Sequence, residues 1–286
     1  MSYITEEKVQ ELQKKACAIR ETTIRSLVAS GERGTNGHTA GPLGMADVFT
    51  VLYFHVLNHK PDDPDWAERD RLILSNGHIT PVRYAAMAHA GYFSVEECLT
   101  LRDFGSRLQG HPERDMLPGV ETTSGPLGSG LSQAAGIAYA AKMDKKKFLT
   151  FCLTSDGEQQ EGNTWEGAMF AAKYRLNNLV QIMDRNNIQI TGDTEDIMPL
   201  EPLADKYKAF GWHVIEIDGH NIEAIADAVE EVKAIQEKPT LILANTIPGK
   251  GVKEIENDYV WHGKPPTKEQ EETFITQLHE ACGVNH

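Results

Sequence analysis

Residues 148–157 read Phe-Leu-Thr-Phe-Cys-Leu-Thr-Ser-Asp-Gly, and residues 179–187 read Leu-Val-Gln-Ile-Met-Asp-Arg-Asn-Asn. Each is an apolar run of strand length that ends in polar residues, and a helical stretch over 164–175 separates them. Two buried parallel strands joined by one helix bring Asp156-Gly157 and Asn186 to the same end of a sheet. There Asp156 offers a carboxylate oxygen, Asn186 an amide oxygen and the backbone at Ile188 a carbonyl oxygen. Hard oxygen donors of this kind, completed by two phosphate oxygens and a water, suit Mg²⁺, with Ca²⁺ or Mn²⁺ as alternatives. Gly157 has no side chain to hold a phosphate away from the backbone. An Asp-Gly pair alone reads as a turn. The second strand ending in Asn at this spacing turns the reading towards a cation that carries a diphosphate.

The rest of the chain repeats the pattern. Further strands are predicted over 70–76, 213–217 and 240–246, with helices over 5–30, 45–59, 131–143 and 218–236 and another beginning at Thr80-Pro81, where proline suits a first turn. Strands and helices alternating at these lengths imply an α/β fold: a three-layer sandwich with a mostly parallel central sheet and helices on both faces. The stretch 1–248 reads as one domain, and 249–286 as a loop and terminal helix of the same module.

Composition narrows the function classes. The 286 residues are 40% hydrophobic and 24% charged, as in ordinary globular proteins, and the net charge of −14 argues against nucleic-acid binding. Cys17, Cys98, Cys152 and Cys282 form no Cys-x-x-Cys pair, so neither a disulfide framework nor a cysteine zinc site is expected. The N-terminus lacks the basic and apolar regions of a signal peptide, and no apolar run has the length of a membrane span. A cytoplasmic protein without a membrane partner is the expectation.

Three further constellations stand out. His38, His78, His111 and His262 follow glycine or tryptophan in loops, which suggests a polar cleft that exchanges hydrogen bonds and protons. His55 and His59 stand four apart but lack a companion acid, and they are read as structural. Gly125-Pro126-Leu127-Gly128-Ser129-Gly130 lacks the Lys-Ser or Lys-Thr ending of a P-loop and serves a tight turn or a ligand equally well. Glu161 and Glu166 open a helix, as caps or as a buried carboxylate relay.

Taken together these residues resemble the N-terminal, diphosphate-binding half of a transketolase, a thiamine-diphosphate enzyme. The resemblance runs from about residue 20 to 266. It is carried, in the family's order, by Gly37-His38 through Asp47, Ser75-Asn76-Gly77-His78, Gly110-His111-Pro112-Glu113, the turn at 119–130, the Asp156-Gly157/Asn186 pair, Gly211-Trp212-His213 with Asp218-Gly219-His220-Asn221, and Trp261-His262-Gly263-Lys264. It implies that Asp156, Asn186 and the Ile188 carbonyl hold the metal. Gly157, Glu158, His78 and Gly125-Pro126-Leu127 would contact the cofactor, with His262 near its diphosphate and the substrate. His38 and His111 would face the sugar, with His111 near its first hydroxyls, and Glu161 and Glu166 would join a proton path between paired sites. Ser155 stands where the family has Gly, and Thr39-Ala40 where it has Pro-Gly.

The chain ends before the pyrimidine-binding domain of a full transketolase. The resemblance therefore implies a split enzyme completed by a C-terminal subunit, in an α2β2 assembly that moves a two-carbon ketol unit between sugars of the pentose phosphate pathway. Arginines for a sugar phosphate are expected in that partner. The four loop histidines favour this over the α subunit of a 2-oxoacid dehydrogenase or a deoxyxylulose-phosphate synthase; a transketolase for an unusual sugar stays open.

Overall fold

In the computed structural model, which describes residues 2–283, the two quoted runs are neighbouring parallel strands, with Ser155 in register with Asp184. The chain opens with helix α1 (Glu6–Glu32), whose first turn carries Glu6 and Glu7 and is capped by the Thr5 hydroxyl accepting from the Lys8 N–H. Helices α2 (Ala40–Gly44) and α3 (Ala46–Val51) precede strand β1 (Arg71–Leu74) and helix α4 (Thr80–His89). Then come α5 (Ser129–Met143), β2 (Thr150–Ser155), α6 (Gly162–Lys173) and β3 (Leu179–Arg185). A hairpin of two-residue strands, β4 (Ile188–Gln189) and β5 (Gly192–Asp193), leads to α7 (Thr194–Ile197) and α8 (Leu203–Ala209). The described chain closes with β6 (His213–Asp218), α9 (Ile222–Ala234), β7 (Thr240–Asn245) and α10 (Lys268–Ala281).

The main sheet is parallel throughout, in the order β1-β2-β3-β7-β6. Its side chains alternate between two cores, because successive residues of a strand point to opposite faces. Leu72, Leu74, Phe151, Leu153, Val180, Ile182, Ile242 and Ala244 pack with α1, α3, α4 and α9 on one side. Ile73, Cys152, Leu179, Met183, Leu241 and Leu243 pack with α5, α6 and α8 on the other. Strands buried on both faces read as near-continuous apolar runs, which is why β2, β3 and β7 were legible; the edge strand β6 is only half buried. The result is the expected three-layer α/β sandwich.

Several elements differ from expectation. The helix predicted over 45–59 begins at Ala46, directly after the short α2, and ends in a π-turn over Leu52–Val56. The β4–β5 hairpin and α8 were not foreseen; strands of two residues carry no periodic signal.

A third apolar cluster joins α10 to α1 and to the 249–261 segment, through Ile24, Val28, Val252, Ile255, Trp261, Phe274 and Leu278. Across it Cys17 is bonded to Cys282 with the Cα atoms 6.2 Å apart, which corrects the expectation that no disulfide forms. Cys98 and Cys152 are free and buried. Beneath α2 the Arg20 guanidinium forks onto Asp47 and its Nε donates to the Leu43 carbonyl at 3.0 Å. His220 continues this buried network, with Nδ1 2.8 Å from Asp47 and Nε2 accepting from the Ile247 N–H at 2.8 Å. It fixes the α2–α3 corner to the end of β7. No helix among the described residues is long and apolar enough to cross a membrane.

Candidate active site

All the sheet's strands end on one edge, and the predicted site residues gather there. Asp156 follows β2 and is fully buried. Its Oδ2 accepts from Arg185 Nη1 at 3.0 Å and from the Asn187 N–H at 2.7 Å, while Oδ1 accepts only from the Gly157 N–H at 2.6 Å. Oδ1 therefore keeps a lone pair for a further partner. Asn187 holds a left-handed backbone (φ 63°), a conformation asparagine tolerates, and this aims its N–H back at Asp156.

Asn186 is oriented by Asp184. Its Nδ2 donates to Asp184 Oδ2 at 2.8 Å, so Oδ1 faces the other way and accepts from the Ile188 N–H at 3.0 Å. The Thr246 hydroxyl bonds the second Asp184 oxygen. Burial pushes Asp184 up to about 7, reinforced by the nearby Asp156 charge and opposed by Thr246 and Asn186. Burial likewise lifts Asp156 to about 6 against the pull of Arg185. A Cβ added to Gly157 would lie 3.3 Å from Gln189 Cβ and 3.9 Å from the Ile188 carbonyl, so only a bare backbone leaves this corner open.

The histidines form a second cluster. Rings of His38 and His78 stand 4.9 Å apart, His38 and His262 5.5 Å, and His78 and His262 5.0 Å. The Thr39 hydroxyl donates to the Lys264 carbonyl at 2.6 Å, which clamps the two loops together. His111 joins them: its Cδ2 would lie 3.2 Å from a Cβ on Gly77 and 3.9 Å from one on Gly125. Burial lowers the pKa of all four, taking His38 to about 3, with added repulsion on His38 from His262, Arg102 and His111. At neutral pH the cluster is four neutral imidazoles. A neutral imidazole can donate one hydrogen bond and accept another, so the cluster suits hydrogen bonding more than proton storage.

Pro126 and Leu127 are exposed on the turn before α5, beside His111 through Gly125. Glu158 holds this turn in place. It is fully buried, and its carboxylate accepts from the Gly128 N–H, the Ser75 hydroxyl and the Ser155 N–H. The Ser75 oxygen in turn accepts from the Gly130 N–H at 3.0 Å. The N-terminus of α5 is thus met by an internal carboxylate, and through Gly128 Glu158 supports the turn assigned to the cofactor. Glu161 and Glu166 are both exposed, and Glu161 makes no side-chain cap to α6. Within this chain neither the capping of Glu161 nor a buried relay is realised. His59 is structural as expected, bonded to Tyr92 and the Tyr53 carbonyl.

Asp184, Arg185, Thr246 and Asn76 belong to the site but were not singled out. Both buried polar ends of Asn76, with Thr80 Oγ1, Thr122 Oγ1, Ser124 Oγ and His38 Nδ1, have no partner among the described residues. Buried polar atoms are almost always paired, so this group around Gly77 and His78 calls for polar atoms from elsewhere. No group of three or more His, Cys, Asp or Glu that could hold a metal occurs among the described residues. One carboxylate with an amide and a carbonyl fits a hard cation whose other ligands come with an anionic cofactor.

Comparison with known proteins identifies the family. Residues 16–286 match the family model of the transketolase thiamine diphosphate binding domain. The chain is 43% identical to a 6-deoxy-6-sulfo-D-fructose transketolase subunit from a Clostridium strain, over 94% of this chain and 96% of that one. It is 41% identical to an apulose-4-phosphate transketolase subunit from Phocaeicola vulgatus, over 91% and 92%. The solved transketolase of Campylobacter jejuni superposes with a TM-score of 0.87 at 36% identity, covering 97% of this chain but 43% of that one.

Proposed function

Because the chain belongs to the family of transketolase thiamine diphosphate binding domains, we propose that it is the N-terminal subunit of a two-subunit transketolase. In this reading a C-terminal subunit completes the site as α2β2, and a two-carbon ketol unit passes from a ketose to an aldose. The relatives named as subunits are matched over nearly their whole length, whereas the chain spans less than half of the solved transketolase.

The observation that carries the reading is the group of unpartnered buried polar atoms around His38 and His78, on the sheet edge where β1 and β2 end and the cation donor set begins. Asp156 Oδ1, Asn186 Oδ1 and the Ile188 carbonyl would hold Mg²⁺, with Gly157 leaving room for the diphosphate. His78 and the Gly125–Leu127 turn would meet thiamine diphosphate, which when bound supplies the nucleophilic carbon for ketol transfer. His38, His111 and His262 would bind the sugar hydroxyls. His38 Nδ1, without a partner among the described residues, is the atom that would exchange a hydrogen bond with substrate. The exposed Glu161 and Glu166 would become buried only against another subunit. The names of the two subunit relatives favour a sugar outside the pentose phosphate pathway.

Ketol transfer measured with thiamine diphosphate and Mg²⁺ tests this. The chain alone is expected to be inactive, and addition of the C-terminal partner to restore transfer. Strong activity of the single chain would overturn the two-subunit reading; an inactive pair would overturn the function.

A further inference from the structure

Helix α10 is tied to α1 by a covalent bond at one end and by an apolar face along its length. Cys282, which caps α10, is bonded to the buried Cys17 of α1, 265 positions earlier. The helix's polar ties include Arg25 to Glu271 at 3.0 Å, His279 to Glu21 at 2.9 Å and Gln277 to Glu254 at 3.1 Å. These lie at or near the surface, where such contacts contribute little. The bond and the apolar face do most of the holding.

That face connects α10 to the site. Phe274, Ile275 and Leu278 are buried in one cluster with Ala40, Ile188 and Trp261. Ile188 supplies the carbonyl assigned to the cation, Trp261 directly precedes His262, and Ala40 stands two positions after His38. The Trp261 and Phe274 rings are 5.4 Å apart. Leu278 lies so close to Gly251 that a Cβ there would come within 2.9 Å of its Cδ1. Three pieces of the site, far apart in sequence, thus rest on one helix. Close-packed interiors transmit a shift of such a support instead of absorbing it.

We propose that the Cys17–Cys282 bond is a reversible redox latch: closed, it clamps α10 beneath the cation and histidine sites, and open, it loosens both. Cys282 is exposed whereas Cys17 is buried, so the sulfur open to attack is that of Cys282. A dithiol reductant opens the latch. Its thiolate attacks the Cys282 sulfur, Cys17 leaves as a thiolate and takes a proton, and the second thiol of the reductant then displaces Cys282. Two electrons and two protons pass to the protein, and the reductant ends as a disulfide. A small disulfide such as oxidised glutathione closes the latch by the reverse exchange and leaves as two thiols. Cys98 and Cys152 are free but buried, and do not compete. The effect on cofactor binding rests on the transketolase reading. A bond that only staples the fold would act mainly on the unfolded chain, raising the melting temperature and leaving the site unchanged.

The test compares the oxidised and the dithiothreitol-reduced protein, with C282S as a chain that cannot close. Two thiols should titrate in the denatured oxidised chain and all four cysteines in the reduced one. In the cofactor-free chain, amide hydrogen exchange of α10, of Ile188 and of residues 252–262 should quicken on reduction. In the chain assembled with its C-terminal partner, thiamine diphosphate affinity with Mg²⁺ should fall about 2- to 30-fold on reduction, the range of couplings carried by packed side chains. C282S should match the reduced wild type in both readouts and ignore the reductant. Equal thiol counts, site amides that exchange alike in the two states, equal cofactor affinity in both, or a C282S that still responds overturns the latch. A higher melting temperature of the oxidised form with the site readouts unchanged assigns the bond a stapling role and overturns it too. Exchange that responds in a chain whose assembly binds no thiamine diphosphate in either state overturns the transketolase reading and leaves the latch standing.

Discussion

The Asp156 carboxylate and the Arg185 guanidinium meet at 3.0 Å, with side chains 0% and 5% exposed. Arg185 also reaches Glu195 and Glu201 at 2.9 Å each, so it ties the predicted metal ligand to the segment after β5. Both glutamates are open to solvent and add little; the pair with Asp156 dominates. Arg185→Met is expected to destabilise the cofactor-free chain by about 3–5 kcal/mol, because it strands a buried charge. In the assembled enzyme with Mg²⁺ and thiamine diphosphate the loss should shrink, since a bound cation takes over the role of neutralising Asp156. Denaturation of both forms measures the difference; an equal loss in each would show that Asp156 does not meet the cation.

The neutral histidines predict an acid-side weakness. A group whose folded pKa is depressed contributes stability above its unfolded pKa and loses it as pH falls. For His38 the window runs from the ordinary 6.5 down to about 3. Within it the group adds a slope of at most about 1.4 kcal/mol per pH unit. Buried acids such as Glu158 have raised pKa values and act in the opposite sense, so the informative quantity is the difference between wild type and His38→Asn. Thermal unfolding of the cofactor-free chain from pH 7 to pH 5 should show the variant falling less steeply. Parallel curves would mean that His38 is not held neutral.

Close approach at Gly77 predicts a local, repairable defect. A Cβ there would collide with the Ser124 oxygen, so Gly77→Ala must separate the His78 turn from the Ser124-Gly125 turn. Cofactor affinity of the assembled enzyme should fall about 10-fold or more, the scale seen when supporting contacts of a ligand site are lost. Removing the clashing oxygen by Ser124→Ala in the same chain should recover part of it. A Gly77→Ala enzyme with full affinity would remove this turn from the site.

Much of this was legible in the sequence, and the exceptions share a cause. The central strands were readable because burial on both faces makes them mostly apolar, as in Phe151–Leu153 and Leu179–Met183. Asp156, Gly157 and Asn186 were readable because strand ends of a parallel sheet fall together. The histidine cluster was suggested by four separate loops, but what joins His38 to His262 is the Thr39–Lys264 bond across 225 positions. No local pattern encodes such a contact. The Cys17–Cys282 pair, 265 residues apart, escaped for the same reason. Asp184 and Arg185 looked like ordinary charges closing a strand; both turn out to be buried and to orient Asn186 and Asp156. Glu158, placed at the cofactor by resemblance, is held by three donors from Ser75, Gly128 and Ser155 that no local pattern announces.

The claim at the centre is that Asp156, Asn186 and the Ile188 carbonyl hold a cation for the cofactor's diphosphate. Calorimetric titration of thiamine diphosphate with Mg²⁺ into the assembled enzyme addresses it most directly, comparing wild type with Asp156→Ala. Binding that requires Mg²⁺ in the wild type and weakens by about 100-fold or more in the variant is the predicted result, in keeping with loss of a charged ligand. Equal affinity in the two proteins would contradict it.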